Sequence, residues 1–389
     1  MSAGGLKVMD SDMHCIEPAD LWERYIDSRY RNRAPRGSAE VVRLALPFLV
    51  VDGKAMPALA PGSAQGGSTP ADVLGLLEAP VLLSILRRQQ RVQDAAERGW
   101  PAEAQLDAMD REGVDRTVVF PTSGLFALGL DSIEDDFAAA IARAYNDWLY
   151  DYCQADPYRL LGAAMIAPHS VEAAVAEARR AVRELGFRAV FVRPNPVRGR
   201  NWHDPYYEPL WSELEGLGVP VGFHEGVGAL LPQVGQRFGT NIFMRHVTCH
   251  PMEMMLAVVS LCAGGVLERH PALRVAYLEA NCGWVPWLLD RMDDHYEIEL
   301  GIPHDTLPRK PSEYFKQQCF VSMEADEHFA KQVIEVLGDD NLVFSTDWPH
   351  PDSKYPDSVG AFLQNPLPPA SHRKILWDNC LRLYGLKSE

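Results

Sequence analysis

The chain opens with Leu6-Lys7-Val8-Met9-Asp10-Ser11-Asp12-Met13-His14, an apolar start that runs directly into acids and a histidine. If this stretch is a β-strand, its two-residue period places Asp10, Asp12 and His14 on one face. Burying two carboxylates and an imidazole without a positive partner is costly. The stretch therefore predicts a strand that holds a divalent metal ion.

Strand-like and helix-like segments alternate along the rest of the chain, which gives about eight strands with helices between them. After the first strand, the predicted strands are 116–121, 160–167, 189–192, 220–224, 274–279, 319–323 and 342–347. This pattern predicts an α/β fold, a (β/α)₈ TIM barrel. A doubly wound open sheet is the alternative, but it would more often carry a Gly-rich turn after its first strand. Here that turn reads Met13-His14-Cys15-Ile16-Glu17-Pro18.

We expect one domain over residues 1–389, with an inserted, lid-like excursion at 19–111 between the first two strands of the barrel. Residues 52–70 are rich in Gly, Pro, Ala and Ser and predict a mobile loop, whereas 71–111 has a helical pattern. A further helix is predicted to begin near Pro251. Barrel chemistry varies through its loops, so substrate selection is expected in 52–98 and 226–248.

Composition limits the class of partner. The 389 residues are 47% hydrophobic and carry a formal net charge of −16. An acidic surface repels nucleic acid and anionic membranes, which favours a small-molecule substrate. The absence of a long apolar run and the seven scattered cysteines, without CxxC spacing, favour a cytoplasmic protein with reduced thiols. A homodimer is expected only because two-fold dimers are common.

Ionisable residues fall where a barrel places its catalytic groups, at the carboxyl ends of strands. Asp12 and His14 end the first strand, and the others end or directly follow later strands: Arg193, His224, Glu279, Glu324 and Asp347. A ring of histidines and carboxylates at one rim is what a catalytic metal requires.

Three motifs carry a family resemblance. Asp-x-Asp-x-His-x-x-Glu-Pro at 10–18, His224-Glu225-Gly226 and Ser345-Thr346-Asp347-Trp348-Pro349-His350 resemble the amidohydrolase-related branch of the metal-dependent amidohydrolase superfamily, with aminocarboxymuconate-semialdehyde decarboxylase and the resorcylate decarboxylases. By position, the resemblance implies metal ligation by four residues: Asp12, His14, His224 and Asp347. It also implies a barrel fold over nearly the whole chain.

The sixth strand departs from the family pattern. The decarboxylases typically place a catalytic histidine there, and this chain has Glu279 within Tyr277-Leu278-Glu279-Ala280-Asn281. A carboxylate can bridge two metals, so we expect Glu279 to be a further ligand and the site to be richer in oxygen. The segments around Asp12, His250 and Glu279 are also similar to a group with dinuclear iron or iron/manganese members. The expected cofactor is therefore one or two divalent ions of iron, zinc or manganese.

Three further residues have two interpretations each. His250 lies in the long connection after the fifth strand and is either a ligand or acid/base group or a helix cap. His350 either steadies substrate or completes its loop. Arg193 either binds a substrate carboxylate or pairs with an acid of the barrel. The remaining histidines, including His169 and His270, have no partner pattern and are expected to be solvated.

These features predict a metal-dependent hydrolase. Metal-bound water, with a pKa lowered toward about 7, would attack an amide, ester, thioester or lactone carbonyl. Asp347 would accept the proton, and His250 or His350 would steady the oxyanion. The alternatives are a nonoxidative decarboxylase of a small carboxylic acid, a dinuclear iron oxygenase, and a barrel that acts as a scaffold without catalysis.

Overall fold

The computed structural model of the protein describes residues 5–44, 48–56, 83, 86–226, 234–239, 241–298 and 306–387. The strands in these ranges are β1 Met9–Cys15, β2 Leu49–Val51, β3 Lys54–Met56, β4 Arg116–Pro121, β5 Leu160–Met165, β6 Ala189–Val192, β7 Val221–Phe223, β8 Val275–Tyr277, β9 Cys319–Met323 and β10 Leu342–Phe344.

Eight of these strands form one parallel sheet in the order β1-β4-β5-β6-β7-β8-β9-β10. The sheet closes between its first and last strands, because His14 N donates to Trp348 O at 2.7 Å and Ser11 Oγ donates to Phe344 O at 2.7 Å. The prediction of a (β/α)₈ barrel is thereby confirmed. In barrel order, β1, β7, β8 and β10 are the first, fifth, sixth and eighth strands.

Helices follow the strands and cover the outside of the barrel. Their bounds are α1 Leu21–Tyr25, α2 Ala39–Val42, α3 Gln93–Glu97, α4 Ala102–Glu112, α5 Asp135–Cys153, α6 Val171–Arg183, α7 Glu208–Leu217, α8 Ile242–Cys262, α9 Val266–Arg269, α10 Val285–Glu297, α11 Pro311–Gln318, α12 Ala330–Leu337, α13 Ser358–Leu363, α14 Pro369–Arg373 and α15 Asn379–Leu383.

Helix α6 shows how the sequence specifies these elements. Ser170 precedes the helix, and its hydroxyl accepts a hydrogen bond from Ala173 N at 3.2 Å, which satisfies one free amide of the first turn. Ala174, Ala178 and Ala181 recur at helical spacing and are fully buried. Their small side chains let the helix pack closely against its neighbours.

The helix that was predicted to begin near Pro251 begins nine residues earlier. Helix α8 starts at Ile242 after Asn241, whose side chain accepts from Met244 N at 2.9 Å, and Pro251 lies inside it. A proline removes one backbone donor but does not end a helix that is held by its neighbours. Because of this longer helix, His250 lies in the middle of α8 rather than at its start.

The excursion between β1 and β4 is described in part. It contains the antiparallel hairpin of β2 and β3, joined to Arg36 by backbone hydrogen bonds with Val50 of 3.0 and 2.8 Å. Residues 57–82 lie outside the described ranges, and with them most of the predicted mobile loop and the start of the predicted helical region. The single-domain assignment stays a prediction. Among the described residues, no helix combines the length and the apolar character needed to cross a membrane.

Candidate metal centre

Strand β1 is fully buried along its whole length, including its acids and histidine. Asp10 serves the closure of the barrel, because its carboxylate accepts hydrogen bonds from Thr346 Oγ1, from Thr346 N at 3.2 Å and from Asp12 N at 3.0 Å. The pairing of β1 with β4 shifts register between Asp10 and Met13. Asp10 therefore joins β1 to β10, and the two residues that remain for a metal are Asp12 and His14.

Four of the predicted ligands converge at the carboxyl ends of the strands. His14 Nε2 lies 3.2 Å from His224 Nε2, 3.3 Å from Asp347 Oδ1 and 3.5 Å from Asp12 Oδ1. His224 Nε2 is likewise 3.5 Å from Asp12 Oδ1. Ligand atoms that share one ion at about 2.1 Å lie about 3.0–3.4 Å apart, so these spacings suit a common cation.

Both histidines have their Nε2 atoms directed at this cluster by bonds on the other side of the ring. His14 Nδ1 donates to Pro121 O at 2.7 Å, and His224 Nδ1 donates to Glu225 O at 3.1 Å. Each ring then presents an Nε2 lone pair to the centre. Such backbone acceptors behind the ring fix the tautomer of metal-binding histidines.

Asp12 is the member of the cluster whose carboxylate lacks hydrogen-bond partners within the described residues. Neither of its carboxylate oxygens has a hydrogen-bond partner among the described residues, although the side chain is fully buried. Burial raises the pKa values of Asp12 and Asp347 and lowers that of His14 well below its ordinary value. A divalent cation would favour the anionic acids and the neutral imidazole together, so the donor set fits such an ion.

Glu279 lies beside the cluster and links it to helix α8. Its Oε2 is 3.3 Å from His224 Nε2, and its Oε1 is 3.4 Å from His250 Nε2. Its backbone is in the left-handed region with φ 49°, and its amide donates to Ser322 Oγ at 2.9 Å. An unfavourable backbone held in this way is frequent at functional sites. His246, one helical turn before His250, completes a second group of possible ligand atoms with His250 and Glu279.

His350 also lies beside the cluster, where it offers a ligand atom within 4.8 Å of those of His14, Glu279 and Asp347. Its Nδ1 lies 2.8 Å from Asp347 Oδ1, its Nε2 lies 3.0 Å from Thr122 Oγ1, and its ring packs on His14 with 4.1 Å between centroids. The loop that carries Thr122 is held by Glu17, whose carboxylate accepts from the amides of residues 122, 123 and 124. His350 is therefore held in position by bonds on both sides of its ring.

Arg193 pairs with an acid of the barrel. Its terminal nitrogens donate to Asp131, to Leu128 O at 2.7 Å and to Pro196 O at 2.9 Å, which leaves Nε free among the described residues. Recognition of a substrate carboxylate by the guanidinium fork stays a prediction that these bonds do not favour. The expected solvation of His169 and His270 is wrong, because both are buried, at 1% and 7% exposure. Each is hydrogen-bonded to residues that are distant in the chain, so the local sequence does not predict its burial.

Sequence reasoning missed Thr122 and His246. Thr122 directly follows β4, the position in a barrel strand where functional residues are common, and this placement could have identified it. His246 precedes His250 by four residues and would have stood out if α8 had been extended across Pro251.

Comparisons with known proteins agree with this geometry. Residues 10–386 match the family model described as Amidohydrolase. The chain is 26% identical over 252 residues to 2-amino-3-carboxymuconate-6-semialdehyde decarboxylase of Dictyostelium discoideum, an alignment that covers 65% of this chain and 67% of that protein. It is 28% identical over 261 residues to gamma-resorcylate decarboxylase of Rhizobium radiobacter, covering 64% and 76%.

Solved structures share the fold. An amidohydrolase from Mycobacterium avium subsp. paratuberculosis superposes with a TM-score of 0.75 at 22% identity, covering 98% of this chain and 100% of that one. A dihydroxybenzoic acid decarboxylase from a Polaromonas species, crystallised with manganese and an inhibitor, gives a TM-score of 0.62 at 22% identity, covering 82% and 93%.

The prediction of a hydrolase is wrong, because the similar curated proteins are decarboxylases. The prediction relied on Glu279 in place of the family's histidine. One rim carboxylate does not decide the reaction, since the same ion and ligands can either activate water or chelate a carboxylate.

Proposed function

The chain belongs to the amidohydrolase family, and we propose that it is a metal-dependent, nonoxidative decarboxylase of a small carboxylic acid. The observation that carries the proposal is the convergence of His14, His224 and Asp347 around the unpartnered carboxylate of Asp12. The similarity to decarboxylases over about two thirds of the chain supports this reaction class.

We propose one cation per chain, held by nitrogen and carboxylate oxygen donors: Asp12, His14, His224, Glu279 and Asp347. This mixed set suits manganese, the metal in the Polaromonas structure, and is also compatible with zinc or iron. When bound, the ion would chelate the substrate carboxylate and stabilise the negative charge that develops as the bond breaks.

Decarboxylation requires a proton donor from the chain. The bond between the carboxyl carbon and its neighbour breaks, carbon dioxide leaves, and the electron pair stays on the neighbouring carbon, which must gain a proton. The family's usual histidine on the sixth strand is replaced by Glu279, but His250 of α8 brings an imidazole to the same place, with its Nε2 3.4 Å from Glu279 Oε1. We therefore assign proton delivery to His250 and its orientation to Glu279.

Asp347 and His350 complete the assignment. Asp347 Oδ1 faces His14 Nε2 on one side and His350 Nδ1 on the other. His350 donates to this carboxylate and would so orient the oxygen that is available to a metal ion. His350 is in this proposal a positioning residue, and His250 would deliver the proton to the reacting carbon.

The experiment measures carbon dioxide release from small aromatic carboxylic acids, beginning with 2,6-dihydroxybenzoate and 5-carboxyvanillate, under nitrogen and in D₂O. The proposal predicts turnover without oxygen and one deuterium at the carbon that lost the carboxylate. His250→Gln should lower kcat by about 100-fold or more, within the range for loss of a general acid. His246→Gln, one turn away on the same helix, is the matched control and should retain most activity.

Two outcomes would contradict the proposal. One is a product that incorporates solvent oxygen with no release of carbon dioxide. The other is turnover that requires dissolved oxygen. If His250→Gln and His246→Gln release carbon dioxide at the same rate, the assignment as a decarboxylase stands. The assignment of His250 as the proton donor is then wrong.

A further inference from the structure

The β10 loop, residues 345–357 between β10 and α13, carries both Asp347 and His350. Its first part is held by the barrel itself, because Trp348 O accepts a hydrogen bond from His14 N at 2.7 Å. The barrel therefore fixes the segment up to Trp348, and the support of the backbone from His350 onward lies elsewhere.

That support is Arg91, in the excursion between β1 and β4. Its guanidinium group donates to three backbone carbonyl oxygens of the β10 loop: Pro351 O at 3.0 Å, Ser353 O at 3.0 Å and Tyr355 O at 3.1 Å. These residues are 260–264 positions away from Arg91 in the chain. A guanidinium group is planar and carries five N–H donors in fixed directions, so one arginine can hold several carbonyl groups at once.

Two further side chains of the excursion contact the same loop. Arg88, three residues before Arg91, donates to Pro351 O at 2.8 Å. Trp100 packs on Trp348 with 6.1 Å between the ring centroids. The contact between the excursion and the β10 loop therefore extends along most of the loop, with Arg91 at its centre.

Backbone hydrogen bonds connect the residues that Arg91 holds with the metal centre. Ser353 N donates to His350 O at 3.2 Å, and His350 N donates to Asp347 O at 2.9 Å. Two successive turns thus lead from a carbonyl group bonded to Arg91 to a proposed metal ligand. Asp347 has a φ of 53°, a left-handed conformation that persists in a residue other than glycine only where the surrounding structure holds it.

The guanidinium group of Arg91 serves this loop rather than an ion pair. The side chain is half-buried, and its acceptors among the described residues are four backbone carbonyl oxygens, three of them in the β10 loop. None of these acceptors is a carboxylate. A half-buried cation loses part of its hydration, and hydrogen bonds to such acceptors compensate for the loss.

We propose that Arg91 is a positioning residue for the metal centre. By holding three carbonyl groups of the β10 loop, it keeps His350 where its Nδ1 donates to Asp347 Oδ1 at 2.8 Å. The excursion thereby contributes to the metal centre although it supplies none of the proposed ligands. The anchoring rests on the hydrogen bonds of Arg91, whereas its effect on turnover rests on the proposed function.

The first test is hydrogen exchange of the metal-depleted, full-length protein, followed by mass spectrometry on overlapping peptides. In Arg91→Ala, the amides of residues 350–357 should exchange about 10-fold faster or more, as loss of hydrogen bonds from a charged donor allows. The amides of residues 345–348 should be unchanged, because the barrel holds them. Arg87→Ala is the matched control, since Arg87 is exposed and has no hydrogen bond within the described ranges.

The second test is calorimetric titration with manganese. Arg91→Ala should bind the ion about 10-fold more weakly, at the lower end of the range for loss of a group that supports a ligand. Arg87→Ala should bind it as the unchanged protein does. Arg91→Lys keeps the charge but lacks the planar fork, and should bind about 3-fold more weakly; it replaces Arg91→Ala if that variant does not fold.

Action through His350 is tested by a double-mutant cycle on manganese affinity. In His350→Ala, the further change Arg91→Ala should cause no additional loss, because the group through which Arg91 acts is absent. Equal losses in both backgrounds would overturn the proposal, as would unchanged exchange of residues 350–357 or unchanged affinity in Arg91→Ala. No turnover is measured, so the expected results in a protein that releases no carbon dioxide would reject only the proposed function.

Discussion

The Nε2 atoms of His14 and His224 lie 3.2 Å apart, although 210 residues separate them in the chain. Both rings donate from Nδ1 to backbone carbonyl oxygens, so two lone pairs face each other across this short distance. Lone pairs repel unless a proton or a cation lies between them. With two buried carboxylates beside them, the arrangement favours a divalent cation over a single shared proton.

We predict that Asp12→Asn lowers the metal content measured by elemental analysis and lowers kcat/KM by more than about 100-fold. Loss of a group that only supports a ligand typically costs 10–100-fold, so loss of a ligand should cost more.

The same variant should increase the thermal stability of the metal-free protein. Asparagine removes a buried carboxylate that has no hydrogen-bond partner in the described ranges, so metal-depleted Asp12→Asn should unfold at a higher temperature than metal-depleted unchanged protein. Equal melting temperatures without metal, together with unchanged metal content, would argue against Asp12 as a ligand.

Metal removal should destabilise the protein and should be reversible. At a free ion concentration of about 100 times the dissociation constant, binding contributes about 2.7 kcal/mol to the free energy of unfolding. Chelator should therefore lower the melting temperature, and manganese should restore it with one ion per chain. Two ions per chain, reduced to one in His246→Gln, would instead assign a second cation to His246, His250 and Glu279.

Thr122 should act on catalysis through His350. Its hydroxyl donates to His350 Nε2 at 3.0 Å, which keeps the Nδ1 proton on the side of Asp347. Thr122→Val should lower kcat about 3- to 10-fold with KM little changed, in line with one hydrogen bond. Thr122→Ser retains the hydroxyl and should restore kcat. A loss in Thr122→Ser as large as in Thr122→Val would indicate a packing role instead.

Stability should fall in mild acid because of His169. Burial lowers the pKa of His169 to about 4 from 6.5, so the unfolded chain binds this proton at a higher pH than the folded protein. The contribution of His169 is therefore complete above about pH 6.5 and is lost as the pH falls toward 4.

Between pH 7 and pH 5 this loss should amount to about 2 kcal/mol, measured by urea unfolding. His169→Gln can still donate to Leu130 O but does not titrate, so its stability should fall by about 2 kcal/mol less over the same interval. Parallel pH profiles for the two proteins would contradict the assignment.

Local pattern was sufficient to predict which ionisable residues lie together at the rim of the barrel. Asp12 and His14 could be predicted because, with Asp10, they place ionisable side chains at a period of two on one face of the first strand. His224, Glu279 and Asp347 could be predicted because each ends a strand, and a barrel brings all strand ends to one rim. The sequence also predicts His250 near the mouth of the barrel. It predicts the wrong start for the helix that carries His250, because a proline is common in the first turn of a helix and Pro251 lies inside this one.

Other relationships depend on contacts between distant segments. Thr122 is one polar residue among many until the loop held by Glu17 brings it to His350. The pairing of Arg193 with Asp131 became visible only in the tertiary structure, and binding of a substrate by Arg193 stays a prediction. The hydrolase prediction failed because residue types identify a metal centre more readily than they identify the bond that it breaks.

The sequence by itself determined the alternation of strands and helices and the placement of acids and histidines at strand ends, because both follow from short-range periodicity. Only the tertiary structure decided which of these side chains lie close enough to one another to hold a common cation, and which of them are bonded to other parts of the chain. Those properties depend on distances of about 3 Å between residues that are far apart in the chain, and closure of the barrel sets these distances.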